Sequence, residues 1–320
     1  MLSLEPFLME RITLPKVWGG RALERLLGID LQPDQNVGET WELYDRTEGS
    51  SRLRGSTTTL ADLMASMPEQ LVGRGVPLAH GGRFPLLLKF LDARDQLSLQ
   101  VHPDDAQAST DSGKNEACVV LHAGDRAGIS YGLRPGVTRE GFLASLGSPA
   151  VEAMVHTFRP EVGDTIHIPP GTVHAIGPDV VVFEVQQNSD LTYRLHDYGR
   201  GRELHIDEAT AVMRVEEPPA PRPVTMPVAL SDGGTQLILT TDFRLRRYSL
   251  RQNLELRSGG RFVTITVVAG QGTLRWPGAR VHGTLPLRTG DTALVPACTA
   301  RFTLSPTEHL NVILCDPGVR

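Results

Sequence analysis

The sequence predicts a mainly β protein with short accessory helices, built as two units that repeat one strand-and-turn pattern. Three observations predict it. Gly163 to His174 reads Gly-Asp-Thr-Ile-His-Ile-Pro-Pro-Gly-Thr-Val-His, and Val162, Ile166 and Ile168 alternate with polar residues at the period of a half-buried strand. Pro169-Pro170-Gly171 then ends that strand, because proline offers no amide to a ladder and glycine permits a tight reversal. Gly290 to Cys298 repeats this pattern as Gly-Asp-Thr-Ala-Leu-Val-Pro-Ala-Cys, inside a stretch from Leu237 to Leu314 that is strand-like throughout. Finally, a proline-rich run beginning at Val215 separates the copies, which sets expected boundaries of 1–214 for a first unit, 215–227 for a connector and 228–320 for a second unit.

In chain order, residues 1–55 read as irregular structure and short strands, punctuated by Trp18-Gly19-Gly20 and Gly38-Glu39-Thr40-Trp41-Glu42. Tryptophans beside glycines can line a sugar pocket or plug a core. Thr59 to Asp62 has capping-box spacing, which predicts a helix over 59–72. Phe84 to Asp92 reads as a buried strand carrying Lys89, either a snorkelling edge residue or a substrate contact. The strand expected over 97–103 puts Gln100 and His102 on one face, and Asp104-Asp105 follow as turn formers. Lys114 and Glu116 share a face of the next strand. The apolar spacing from Thr138 to Thr157 is helical, broken at Gly147-Ser148-Pro149. Glu184 interrupts the apolar strand from Val180 to Val185, where a carboxylate is costly unless paired or used. A last helix is expected over 203–213.

Composition narrows the class. The chain has 320 residues, 40% of them hydrophobic, enough for one large core or two smaller ones. A net charge of −5 and a pI near 6.1 advertise no face for nucleic acid. Cys118, Cys298 and Cys315 are an odd number without CxxC spacing, which fits a reducing compartment and argues against disulfides or a zinc finger. Met1 to Trp18 lacks the marks of a signal peptide, and no apolar run approaches the ~20 residues of a membrane span. The expectation is a cytoplasmic protein, monomer or dimer, with no membrane partner.

Two His nitrogens, a carboxylate and an amide oxygen from His102, His174, Glu116 and Gln100 would suit a borderline divalent metal with a position open to substrate. In the second copy, the same offset places Arg301 opposite His174, so that copy is expected to have no metal site.

Gly163, Pro169, Gly171 and His174, spaced G-x5-P-x-G-x2-H, resemble the second motif of the cupin superfamily, although Pro178 stands where an asparagine is usual. That resemblance implies two cupin-like jelly-roll barrels. The order Gln100-Val101-His102-Pro103-Asp104-Asp105, Lys114-x-Glu116 and Pro170-Gly171-Thr172-Val173-His174-Ala175 resembles, more narrowly, type I mannose-6-phosphate isomerase in its short bacterial form. Trp18-Gly19-Gly20, Gly38-Glu39-x-Trp41-Glu42 and Gln187-Asn188-Ser189-Asp190 with Thr192-Tyr193-Arg194 match as well, and the resemblance covers residues 15–205. It implies a zinc-type ion on Gln100, His102, Glu116 and His174, an active-site arginine at Arg194, and a catalytic acid/base at Glu184. Two departures are Thr40, where serine is common, and His196, where an aromatic is commoner.

The implied reaction moves a proton between C1 and C2 of an open-chain phosphosugar through an enediol. A Lewis-acid metal would stabilise the developing oxyanion, and Glu184 in apolar surroundings would have the raised pKa of a general base. Lys114 or Arg194 would steady enediolate oxygens or bind phosphate, with Lys89 and Trp18 as further substrate contacts. Glu184 could instead simply pair with a neighbouring arginine. Two other classes compete: an iron-dependent cupin oxygenase, disfavoured by a fourth ligand at Gln100, and a non-catalytic sugar-binding cupin, disfavoured by retention of Lys114, Glu184 and Arg194.

Overall fold

A computed structural model of the chain describes residues 4–215, 219–278 and 283–318, and it is mainly β with short helices. Its strand pairings are antiparallel and form three sheets among the described residues. A six-stranded sheet runs Ile12–Leu14, Glu39–Leu43, Leu86–Ala93, Val180–Gln187, Glu116–Ala123 and Thr165–Ile168 in spatial order. A five-stranded sheet runs Tyr193–His196, Leu99–Val101, His174–Ile176, Ile129–Leu133 and Val155–Phe158. The third sheet, of nine strands, holds the C-terminal half.

The central strands Leu86–Ala93 and Val180–Gln187 are covered on both faces, which is why they read as near-continuous hydrophobic runs. Val180–Gln187 is buried along its whole length. Val181, Phe183 and Val185 pack with Phe243, Leu245 and Ile313 of the C-terminal half. Val180 and Val182 pack with Ile129, Phe158 and Ile176 of the five-stranded sheet. Leu86, Leu88 and Phe90 alternate with Leu91 and Ala93 in the same way. Glu184 and Gln186 therefore fall on the face turned toward the five-stranded sheet, where the functional side chains gather.

The Thr59–Asp62 capping box forms, but Pro68 starts a second helix, so the expected single helix is Leu60–Ser66 followed by Pro68–Leu71. Residues 138–157 are a helix only over Arg139–Ser145; Pro149–Met154 is a 3-10 turn. Val155–Phe158 is a strand, because pairing with Ile129–Leu133 outweighs its helical spacing. The last helix is Ile206–Val212. The helix Ala22–Leu27 was not expected: its own N-cap residue, Arg21, gives no side-chain cap, and its first amides at Ala22 and Leu23 are met instead by distant Asp92. Asp92 also explains Gly20, where an added Cβ would lie 2.6 Å from Asp92 Oδ1.

The connector is not a free linker. Glu216 to Pro218 lie outside the described residues, but beyond them Arg222 donates to Glu161 and Asp164, both at 2.6 Å, and the Thr225 amide donates to Thr165 O at 2.8 Å. Phe7–Leu8 pairs with Leu294 and Ala293, so one strand of the nine-stranded sheet comes from the start of the chain. The repeated segment keeps its pairing: Ile168 lies opposite Glu116, and Val295 lies opposite Val263. An apolar Val263 thus stands where the first copy has Glu116, and Arg301, opposite His174 in the alignment, is exposed.

Candidate functional site

Both sheets contribute to one buried cluster, in which ligand atoms of His102, Glu116 and His174 lie within 4.8 Å of one another. Among the described residues it is the one such His/Cys/Asp/Glu group. Glu116 opens its strand; His174 opens its own and sits directly across from Gln100. His102 follows Leu99–Val101, on the face that Gln100 shares. Gly171 makes the turn possible at φ +85°, and its amide donates to His102 O at 2.8 Å, tying the two ligand segments together.

Hydrogen bonds aim the imidazoles. His102 Nδ1 donates to Leu191 O at 2.8 Å and His174 Nδ1 to Thr172 O at 2.9 Å, since a carbonyl can only accept. In the neutral rings each Nε2 is then a lone pair, and these face Glu116 Oε1 at 3.5 and 3.0 Å. Burial, and then the Lys114 charge, push His102 down to about 3, so it is neutral near pH 7. Three acceptors converging in a buried place need a cation among them. Lys114 supplies one charge, with Nζ 2.9 Å from Glu116 Oε2 and 3.1 Å from His102 Nε2. A divalent ion suits the same donor set. Gln100 belongs to the cluster with a difference: its Nε2 faces His174 Nε2 at 3.3 Å while Oε1 accepts from Ser98 Oγ at 3.2 Å. An oxygen ligand there requires the amide to turn over.

A cavity of about 260 Å³ adjoins the cluster and is lined by Trp18, Lys89, Gln100, Lys114, Glu184 and Arg194, all expected from the sequence. Lys16, Glu39, Asp190 and Arg202 line it too and were not singled out as site residues. Glu39 lay inside the motif Gly38-Glu39-x-Trp41; Lys16 and Arg202 had only their charge as a signal. Trp18 serves both alternatives, being buried in the core and exposed to the cavity on one side.

Strand register sets the chemistry of this wall. Trp41 is paired with Lys89, Lys89 with Glu184, and Glu184 with Cys118. Lys89 is on a central strand and buried, which corrects the snorkelling-edge alternative; its Nζ lies 3.8 Å from Glu184, 3.9 Å from Glu39 and 5.2 Å above the Trp41 ring. The partner of Glu184 is accordingly a lysine and not an arginine, with the Cys118 thiol donating to it at 3.7 Å. Burial, and then the Glu116 charge, raise Glu184 above the ordinary carboxylate range, against the pull of Lys114 and Lys89. Burial alone would raise Glu116 as well, but the Lys114 charge beside it outweighs burial and holds it well below that range. Two nearby carboxylates, Glu116 in the cluster and Glu184 in the cavity beside it, thus differ in basicity, the arrangement that separates a base from a ligand.

Arg194, across from Gln100, donates from Nη1 to Glu203 O at 2.6 Å, while its buried Nε has no partner among the described residues. Burial, and then Arg202, lower its pKa. His167 is outside the cavity, with Nε2 2.8 Å from Asn115 Oδ1. Thr40 donates to Glu42 at 2.7 Å and His196 meets Glu152 at 3.2 Å, so neither departure from the family pattern lines the cavity. Among the described residues no helix is long and apolar enough to cross a membrane.

Residues 7–126 match the family model for the phosphomannose isomerase type I catalytic domain. The chain is 31% identical over 316 residues to mannose-6-phosphate isomerase ManA of Bacillus subtilis, covering 95% of this chain and 96% of that one. It is 30% identical over 304 residues to mannose-6-phosphate isomerase of Streptococcus mutans, covering 91% and 92%. The crystal structure of the mannose 6-phosphate isomerase from Bacillus subtilis superposes with a TM-score of 0.86 at 27% identity, over 98% of this chain and 99% of that one. The chain belongs to the type I phosphomannose isomerase family.

Proposed function

We infer that the protein interconverts mannose 6-phosphate and fructose 6-phosphate, using a divalent metal of the zinc type. The observation that carries this reading is the convergence of His102, Glu116 and His174, with both Nδ1 atoms committed to carbonyls, on a cavity that also holds Glu184 and several cations. His102, Glu116 and His174 would hold the ion, with Gln100 as fourth ligand once its amide turns. When bound, the metal supplies Lewis-acid stabilisation of charge developing on the C1 and C2 oxygens.

The chain's own residues supply the rest. Glu184 takes the proton from C2; the C–H electron pair becomes the C1=C2 bond of the enediol, and the C1 carbonyl oxygen is protonated. Return of a proton to C1, with loss of the C2 hydroxyl proton, gives the ketose. A carboxylate with a raised pKa takes and returns that proton near neutral pH. Lys89 orients Glu184, Lys114 and Arg194 face the anionic oxygens of substrate and enediolate, and Trp18 forms an apolar wall. This reading extends to two cupin-like jelly-roll barrels, units at 1–214 and 228–320 around a connector at 215–227, and a cytoplasmic setting.

The test is a coupled assay for fructose 6-phosphate formed from mannose 6-phosphate, on wild type and His174→Ala. Turnover that EDTA removes, zinc restores and His174→Ala lacks is the expected result. Metal-loaded wild type without turnover would sink the reading.

A further inference from the structure

We propose that Arg202, braced by Asp197 and placed beside Arg194, recognises the phosphate group of the substrate. This rests on the isomerase reading and names the residue by which the enzyme prefers a phosphorylated sugar.

Five cations line the cavity: Lys16, Lys89, Lys114, Arg194 and Arg202. The lysines are each matched by a carboxylate. Lys16 lies 3.1 Å from Glu39, Lys89 is 3.8 Å from Glu184, and Lys114 is 2.9 Å from Glu116. The arginines are different. Arg194 has no carboxylate partner among the described residues; only Glu203 O accepts from it, and its Nε is buried without a partner. Arg202 bonds to the buried Asp197 through Nε, at 3.0 and 3.1 Å to its two oxygens, and through Nη2. Its backbone amide donates to Asp197 Oδ2 at 3.0 Å as well. That clamp fixes the guanidinium plane and leaves Nη1 without a hydrogen bond among the described residues.

Arg200 shares the same carboxylate at 3.1 Å, so two guanidiniums pair with Asp197 and Arg194 feels the charges of both, with Glu203 the other acid close by. The cluster keeps a surplus of positive charge. A phosphate dianion presents several acceptor oxygens and fits two guanidinium edges better than a lysine point charge. The reacting carbons and the C6 phosphate are at opposite ends of the sugar. Gln100 and Lys114 line the cavity from the ligand cluster, and Arg202 lines it from a separate segment, the loop beyond Tyr193–His196.

The test compares metal-loaded wild type, Arg202→Ala and Arg202→Lys. Measured are kcat/KM for mannose 6-phosphate and for mannose, and inhibition by inorganic phosphate. In Arg202→Ala the preference for the phosphorylated sugar falls roughly tenfold to a hundredfold, mostly through KM, and the phosphate inhibition constant rises in parallel. Arg202→Lys recovers only part, because an ammonium cannot reproduce the fork. A folded Arg202→Ala with unchanged preference and unchanged phosphate inhibition overturns the assignment. Should that variant fail to fold, Arg202→Lys decides: a raised inhibition constant supports the assignment and an unchanged one overturns it. Absence of isomerase activity in wild type would sink the earlier reading instead, and calorimetric titration of inorganic phosphate into wild type and the variants would still test this one.

Discussion

Asn115, set between Lys114 and Glu116, turns away from the cavity and donates its side-chain amide to Asp242 of the C-terminal half at 2.8 Å. Its Oδ1 meets His167 Nε2 at 2.8 Å, its amide donates to Gln187 Oε1 at 2.9 Å, and its carbonyl accepts from the Gln187 amide at 3.0 Å. One residue with its polar groups all engaged holds the backbone from which Lys114 and Glu116 project. The C-terminal half thereby reaches the ligand strand without contributing a ligand.

Asn115→Ala should therefore weaken metal binding by roughly tenfold to a hundredfold, as loss of outer-shell support does. Unsatisfied buried partners should also lower stability by about 1–3 kcal/mol. Zinc titration calorimetry and thermal melts check both, and unchanged zinc affinity would refute the positioning role.

Glu184 sets the acidic limb of the rate profile. Because burial and then Glu116 raise its pKa, activity should rise with pH through a midpoint above the ordinary carboxylate range. Lys89 favours the ionised form, so Lys89→Met should move that midpoint to higher pH. Glu184→Gln should lower kcat by about 10²–10⁴-fold. For stability the sign is opposite to a paired carboxylate: a raised folded-state pKa makes Glu184 cost stability as pH rises past its unfolded value. Rate–pH profiles of the three proteins decide the matter.

Gly171 allows no side chain. A Cβ there would lie 2.7 Å from Arg214 Cγ and 3.0 Å from Val212 O, on a backbone at φ +85°. Gly171→Ala should cost about 1–3 kcal/mol, read from denaturant unfolding, and should also weaken metal binding because the turn carries both ligand segments.

Metal content should be one divalent ion per chain. The repeated segment offers Val263 and Arg301 at the positions of Glu116 and His174, and neither can ligate as those do. Elemental analysis of the zinc-loaded protein checks this, and two ions per chain would contradict it.

Local chemistry made much of the site legible from sequence. A two-residue spacing put Gln100 with His102 and Lys114 with Glu116, Pro169-Pro170-Gly171 marked the turn before His174, and a carboxylate in an apolar run exposed Glu184. Each signal lies within a few residues, where period and turn propensity act. Tertiary structure decided the rest. Lys89, not an arginine, became the partner of Glu184 because strand order set Leu86–Ala93 beside Val180–Gln187. Val155–Phe158 became a strand because Ile129–Leu133 offered it a ladder, and Ala22–Leu27 was capped by Asp92, some 70 residues away. Arg202 and Asn115 acquired their places through Asp197 and Asp242, contacts made by loops and by the second half of the chain. Sequence periodicity specifies which face a side chain takes; what waits on that face depends on which distant segment the packing brings there.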